Sequence, residues 1–279
     1  MVDKKKKVQL KVVNTDEILK LSCSGIKTYE QCPRKWYFTY LDKPAIPEKD
    51  WSHLTLGNFV HDVLELFHNI LIETPNSNFR KLMSHSCKEL EKEYSVKLTP
   101  EIIKDIKALL LAYLDMLETK GLPNVESNEM SFSVMLEEKL LIRGKIDRID
   151  MGYDEFPEIP HIVDYKSGKS KYLDEFQLLV YGIPLLKNNP NVESYRGSYL
   201  VLKENMKWIS NTFTKTDVEN VKEKIRKIAA SIKTDRTWEP RPQFLCNWCD
   251  YESVCDSAPS NKKFGGKAKP FINGAVTWE

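Results

Sequence analysis

Apolar residues recur at helical spacing through the first 120 residues and at strand spacing through much of the remaining chain. Val60, Leu64, Phe67 and Leu71 stand three or four apart, which places them on one face of a helix beginning near Asn58. Phe79–Tyr94 and Glu101–Lys120 read as two more helices. Upstream, Ser24–Leu41 reads as two short helical pieces divided at Cys32-Pro33, because proline fits the first turn of a helix and disrupts its interior. The period then shortens, and SFSVMLEE, KLLIRGKIDRIDM and HIVDYK show the alternation or short apolar runs of strands. Leu173–Leu186 returns to helix, RGSYLVLKE and MKWISNTF read as a hairpin, and Val218, Val221, Ile225, Ile228 and Ile232 mark a last amphipathic helix. Helices, strands, helix, strands, helix is the order of an α/β core with a mixed sheet and a helical elaboration on its N-terminal side.

Both ends depart from this pattern. Residues 1–20 are lysine-rich and predict a flexible basic N-terminus; residues 257–279 collect Ser, Pro, Gly and Lys and predict a flexible tail. Between them, 21–256 is expected to form one domain, helical over about 24–120 and α/β over about 130–235. No run approaches the roughly 18 apolar residues of a membrane span, and MVDKKKKVQL lacks the apolar centre of a signal peptide, so the expected location is cytoplasmic, without membrane association. With 42 basic against 40 acidic residues, overall charge carries no signature of nucleic-acid binding, and any such binding would rest on a local groove. Six cysteines in a cytosolic chain are expected to be reduced, metal-bound or buried rather than disulfide-bonded.

Asp164 and Lys166 follow the apolar pair Ile162-Val163 at alternate positions, and residues two apart on a strand share a face. The pattern Asp/Glu-x-Lys is common and by itself means little; only this instance has a strand-like approach. Asp147, in GKIDRID, sits on another predicted strand. Two carboxylates on adjacent strands beside a lysine suit a hard cation such as Mg²⁺, which takes oxygen ligands and retains waters, and equally suit a structural ion pair at a strand end. In LGNFVHDVLELF, Gly57 permits close backbone approach, and His61 falls one turn later, where its imidazole could complete a metal site or simply be half-buried.

Together GNFVH, GKIDRID, DYKSG and QLLVY occur in the order and rough spacing of the PD-(D/E)xK nucleases of RecB type, including the Cas4-like and AddB C-terminal nuclease families, which the sequence resembles from about Ser24 to Cys255. The resemblance implies a restriction-endonuclease-like core with a central mixed β-sheet flanked by helices. It implies Mg²⁺ or Mn²⁺ bound by His61, Asp147, Asp164 and the main-chain carbonyl of Tyr165, with Lys166 as the catalytic lysine. Gln177 and Tyr181 match the family's Q-x-x-x-Y helix and, four apart, lie on one face; core packing is the plain alternative for Tyr181. The implied activity is a metal-dependent DNA exonuclease acting on single strands or DNA ends in recombination, repair or spacer acquisition. No G-x-x-x-x-G-K-[ST] phosphate loop is present, so unwinding would fall to a partner such as a helicase. The other reading is a non-catalytic DNA-end-binding or scaffold subunit, against which the full set of expected residues argues.

CNWCDYESVC supplies Cys246, Cys249 and Cys255, and three thiolates need a fourth partner, which Cys32 in QCPRKWYFTY can provide. The same nuclease families include members whose early cysteine and C-terminal trio hold a [4Fe-4S] cluster, which implies a cluster-binding subdomain of 240–256 with Cys32 joining the two ends. Zinc fits the residue count equally well, although zinc sites more often use two C-x-x-C pairs. Cys23 and Cys87 read as small apolar residues. Arg34 beside Cys32, and Lys169 and Lys171 past the active strand, are expected DNA contacts, whereas Trp36 and Tyr37 are expected to pack around the cysteines. The Lys4–Lys7 run could add nonspecific attraction.

Overall fold

A proline at position 33 starts a new helix rather than ending an old one, and the later elements keep close to their periodicity. The computed structural model describes residues 10–47, 52–75, 77–94, 98–153 and 156–258; the Lys4–Lys7 run and nearly all of 257–279 lie outside them. The chain divides into two compact units.

One unit comprises residues 1–49, 137–141 and 225–279. It holds β1 (Leu19–Leu21), α1 (Cys23–Gln31) and α2 (Pro33–Tyr37), the last followed by a π-helical turn over Phe38–Asp42. Ser22 caps α1 by accepting the N–H of Gly25, which satisfies one of the orphan donors of the first turn. The centre of this unit is aromatic. Trp238, fully buried, stacks on Trp36 with centroids 5.3 Å apart and on Tyr37 at 5.7 Å. Its indole N–H donates to the carbonyl of Lys11 at 2.9 Å, and Val13 is buried, so packing reaches into the segment expected to be flexible. Strand β1 carries no period signal at three residues; it forms because Leu19 N–H finds the carbonyl of Lys139 at 3.2 Å.

The other unit comprises residues 50–136 and 142–224. It contains α3 (Ser52–Glu73), α4 (Phe79–Tyr94), α5 (Pro100–Lys120), β2 (Val125–Glu137), most of β3 (Leu140–Tyr153), β4 (Phe156–Lys166), α6 (Phe176–Asn188), β5 (Ser194–Val201), β6 (Lys207–Thr214) and the start of α7 (Lys215–Thr234). The strands lie in the order β3-β4-β5-β6, with β2 also pairing with β3. Pairing is antiparallel for β3/β4 and β5/β6 and parallel for β4/β5, where α6 makes the crossover. The sheet is therefore mixed and flanked by helices, as the pattern predicts.

Alternation along β4 sorts the chemistry. Val163 and Tyr165 join the core built by Leu56, Val60, Leu64 and Phe67 of α3 and by Leu110, Tyr113 and Leu114 of α5. Asp164 and Lys166, one position out of phase, face α6 instead. Helix α3 begins at Ser52, ahead of the predicted start, and runs through Gly57, where a Cβ would stand 3.0 Å from Ser167 Oγ. The missing side chain lets the helix approach the turn after β4. Helix α6 starts three residues later than its apolar pattern. Ser170–Tyr172 forms a 3₁₀ turn held by the Glu204 carboxylate, and Asp174 Oδ1 accepts the N–H of Phe176 at 3.1 Å. Among the described residues no helix is long and apolar enough to cross a membrane.

Candidate active site

Asp164 is 1% exposed at the end of β4, and its two oxygens are divided between two tasks. Oδ2 pairs with Lys166 Nζ at 2.5 Å. Oδ1 accepts from Gln177 Nε2 at 2.8 Å and from Tyr181 OH at 3.2 Å. Gln177 also accepts from Lys166 Nζ through Oε1 at 3.0 Å, so its amide bridges both charges. The four-residue spacing places Gln177 and Tyr181 on one face of α6, with Gln177 Nε2 2.6 Å from Tyr181 OH.

Asp147 stands on the neighbouring β3. Its Oδ2 accepts the backbone N–H of Tyr165 at 2.8 Å and lies 3.4 Å from His61 Nδ1 on α3. A third carboxylate joins them. Glu129 of β2 offers an oxygen within 4.8 Å of ligand atoms of both His61 and Asp147, and Lys145 pairs with it at 2.5 Å. Sequence reading missed Glu129, because SNEMSF is a polar run without motif spacing. Its one unusual property, a left-handed φ of 50° within a strand, is visible only in the fold. These groups line a cavity of about 500 Å³ that also includes Gly57, Tyr94, Ser167 and Gly168.

The electrostatics favour a cation. Burial, and then the charge of Asp147, raise Asp164 to about 6 against the pull of Lys166. Burial alone would lower His61, but its hydrogen bond to Asp147 and the charges of Asp147 and Asp164 outweigh this and raise it. Burial also raises Glu129. Imidazole and carboxylate donors, crowded and partly desolvated, fit a hard divalent ion.

Of the residues singled out by sequence, His61, Asp147, Asp164, Lys166, Gln177 and Tyr181 meet in this one unit. Lys169 and Lys171 lie just beyond Gly168, outside the cavity lining, and Lys171 Nζ sits over the Tyr172 ring at 4.7 Å. Arg34 is elsewhere: its guanidinium donates to the carbonyls of Trp238 at 2.9 Å and Thr237 at 3.2 Å and rests over Tyr37 and Phe38. Trp36 and Tyr37 are buried packing residues.

Cys32, Cys246, Cys249 and Cys255 all fall in the other unit. Cys32 Sγ accepts the N–H of Arg241 at 3.5 Å, and Cys246 Sγ that of Gln243 at 3.4 Å. Cys255 is close enough to interact electrostatically with Cys32 and Cys246, and Cys249 with Cys246; burial raises the thiols of Cys249 and Cys255. Among the described residues, no three of these sulfurs lie within 4.8 Å of one another.

A mixed sheet that brings two aspartates and a lysine to adjacent strands, beside a helical imidazole and a third carboxylate, defines an α/β protein with an acidic, lysine-flanked candidate metal site. The chain belongs to the PD-(D/E)XK nuclease superfamily, whose family model matches residues 20–256. It is 25% identical over 233 residues to a subunit of the ATP-dependent helicase/deoxyribonuclease of Clostridium perfringens, covering 68% of this chain and 19% of that protein. It is 28% identical over 207 residues to the subunit of the same name in Clostridium kluyveri, covering 58% and 17%. The chain thus spans less than a fifth of the length of these relatives. The crystal structure of a proposed exonuclease from Eubacterium rectale superposes with a TM-score of 0.51 at 16% identity, covering 85% of this chain and 89% of that one, a likeness of fold.

Proposed function

We propose that this chain is a divalent-metal-dependent deoxyribonuclease, an exonuclease of RecB/Cas4-like type that hydrolyses phosphodiester bonds in single-stranded DNA or at DNA ends. The observation that carries the reading is the convergence of His61, Glu129 and Asp147 within 4.8 Å, beside the Asp164–Lys166 pair. Mg²⁺ or Mn²⁺ would be held by His61, Asp147, Asp164 and the carbonyl of Tyr165, with Glu129 as a further donor. Such an ion polarises a phosphate oxygen and lowers the pKa of a water it carries.

The chain's own groups supply the rest. Lys166 Nζ, held between Asp164 and Gln177, is positioned to orient a water and to meet negative charge developing on phosphate. Gln177 and Tyr181 hold Oδ1 of Asp164, which fixes the direction of Oδ2. Lys169 and Lys171, next in the chain after the cavity lining, would attract the DNA backbone. Relatives named as helicase/deoxyribonuclease subunits support DNA as the substrate and a helicase as partner. The setting would be recombination, repair or spacer acquisition in the cytoplasm.

A [4Fe-4S] cluster on Cys32, Cys246, Cys249 and Cys255 is the second part of this proposal. Two of the four sulfurs already accept backbone N–H groups. Among the described residues no three of these sulfurs lie within 4.8 Å of one another, so the support for the cluster is the cysteine pattern and the placement of all four in one unit. In the protein it would tie Cys32 to the Cys246–Cys255 turn and so close a long loop.

The test uses DNA labelled separately at each end, incubated with Mn²⁺ and either wild type or Lys166→Ala. Wild type releases label progressively from an end and the variant does not. Equal, negligible degradation by both would make the chain a DNA-end-binding or scaffold subunit instead.

A further inference from the structure

A second cavity of about 500 Å³ lies on the α5 face of the sheet, lined by the end of α5, the loop after it, and residues of β3, β4, β5 and β6. It shares no residue with the acidic cavity, and its charge is the reverse. Lys120, Arg148 and Arg196 line it against one carboxylate, Asp150. That carboxylate is already committed to Arg148, through Nε at 2.9 Å and Nη2 at 3.0 Å. The fifth titratable group, His161, adds no charge: burial, with Arg148 and Arg196, holds it at about 3, and its Nε2 is bonded to Ser198 Oγ at 2.7 Å. The lining is therefore net positive.

An aromatic wall completes it. Trp208 packs beside His161 with ring centroids 5.8 Å apart, and its Nε1 is buried with no hydrogen-bond partner among the described residues. That nitrogen is turned away from the open space, so what the cavity is offered is the part-exposed face of the ring, a surface on which a planar aromatic ligand can stack. Leu117 adds apolar surface to the same lining. The volume falls in the range of roughly 300–1,000 Å³ usual for small-molecule sites, which pair apolar walls with a few placed polar groups.

The geometry points to a second ligand site here, one that takes a nucleoside monophosphate, with phosphate at Lys120 and Arg196 and the base stacked along the Trp208 ring. Cations and an aromatic ring within one lining match the two chemically distinct halves of such a ligand. The inference does not depend on hydrolysis at the acidic cavity.

Calorimetric titration of the full chain with dAMP in EDTA tests it, because chelation removes metal-bridged phosphate binding at the acidic cavity. Saturable one-to-one binding is expected in wild type and equally in Lys166→Ala. Loss of one charge-assisted contact should weaken it about tenfold or more in Arg196→Ala and in Lys120→Glu. Trp208→Leu, which removes the aromatic face, should weaken dAMP but leave inorganic phosphate, itself a poorer ligand, unchanged. Should Arg196→Ala fail to fold, Lys120→Glu, on an exposed side chain at the end of α5, decides alone. No saturable binding in EDTA, binding indifferent to Lys120→Glu, or equal affinity for dAMP and inorganic phosphate would each overturn the assignment.

Discussion

Asp147 Oδ2 accepts the backbone N–H of Tyr165 at 2.8 Å, so a side chain of β3 grips β4 between the two candidate site residues, Asp164 and Lys166. The bond holds two carboxylates near each other on the same sheet, and the charge of Asp147 helps to raise Asp164. Crowding buried acids costs stability unless a cation or a proton relieves it. The fold accepts that cost beside the acidic cavity.

Lys166 carries the first prediction. Its Nζ spans Asp164 and Gln177, and loss of a positioned proton-handling group typically costs about 10²–10⁴ in rate. Lys166→Ala should lose activity on that scale at saturating Mn²⁺, measured by release of end label, with far-UV circular dichroism unchanged. A loss below tenfold would remove Lys166 from the chemistry.

Asp164 gives a prediction with a definite sign. Burial and Asp147 lift its folded value to about 6, above the unfolded value near 4. A group raised on folding supports the fold while protonated, fully below about pH 4, and that support disappears as pH rises through about 6. In EDTA, Asp164→Asn should therefore melt above wild type at neutral pH, and the gap should close toward about pH 4. A pH-independent gap, or a variant that melts lower at neutral pH, contradicts this.

Glu129 is 8% exposed in its side chain and sits at positive φ. If it ligates the ion, Glu129→Gln should weaken Mn²⁺ binding about tenfold, as loss of a metal-site partner commonly does, while the metal-free protein keeps its melting temperature. Calorimetric titration with Mn²⁺ reads the affinity, and a thermal melt in EDTA reads the stability. Unchanged affinity would confine Glu129 to its ion pair with Lys145.

His161 acts in the opposite direction to Asp164. Burial depresses its folded value to about 3, so the unfolded chain binds a proton that the folded chain refuses between about pH 6.5 and that value. Stability should fall across this window on acidification. His161→Asn should show a smaller drop in urea midpoint between neutral and mildly acidic buffer; an unaltered drop would show that His161 titrates freely.

Cys249 tests the proposed cluster. Cys249→Ala, or chelation of the purified protein, should lower the melting temperature and DNA binding together, with loss of visible absorption and of acid-labile sulfide. Zinc and no iron in the untreated protein would replace the cluster with the zinc reading, and an apo-protein with unchanged melting temperature would remove the structural role.

Much of the site was legible because its parts are local. Asp164 and Lys166 are two apart on a strand, and Gln177 and Tyr181 four apart on a helix, so each pair shares a face whatever the rest of the chain does. Helix limits were less legible: α3 starts at Ser52 and runs through Gly57, whose missing Cβ leaves room for Ser167, a contact that no local period encodes. Arg34 shows the converse. Its basic and aromatic neighbourhood reads as a nucleic-acid surface, and the fold adds what the pattern does not show, that two of the guanidinium's five N–H donors go to backbone carbonyls and two rings pack beside it.

Apolar periodicity and short motif spacing determined the element order, the α/β class and the pairs of candidate site residues, since these depend on backbone geometry over a few residues. Tertiary structure decided which distant groups meet. Glu129 reaches His61 and Asp147 only through the pairing of β2 with β3 and the packing of α3. Arg148 becomes a buried cation bonded to Tyr113, Tyr165 and Asp150 only when sheet and helix close around it. Burial and Coulombic interaction act through space, and no interval along the chain encodes them.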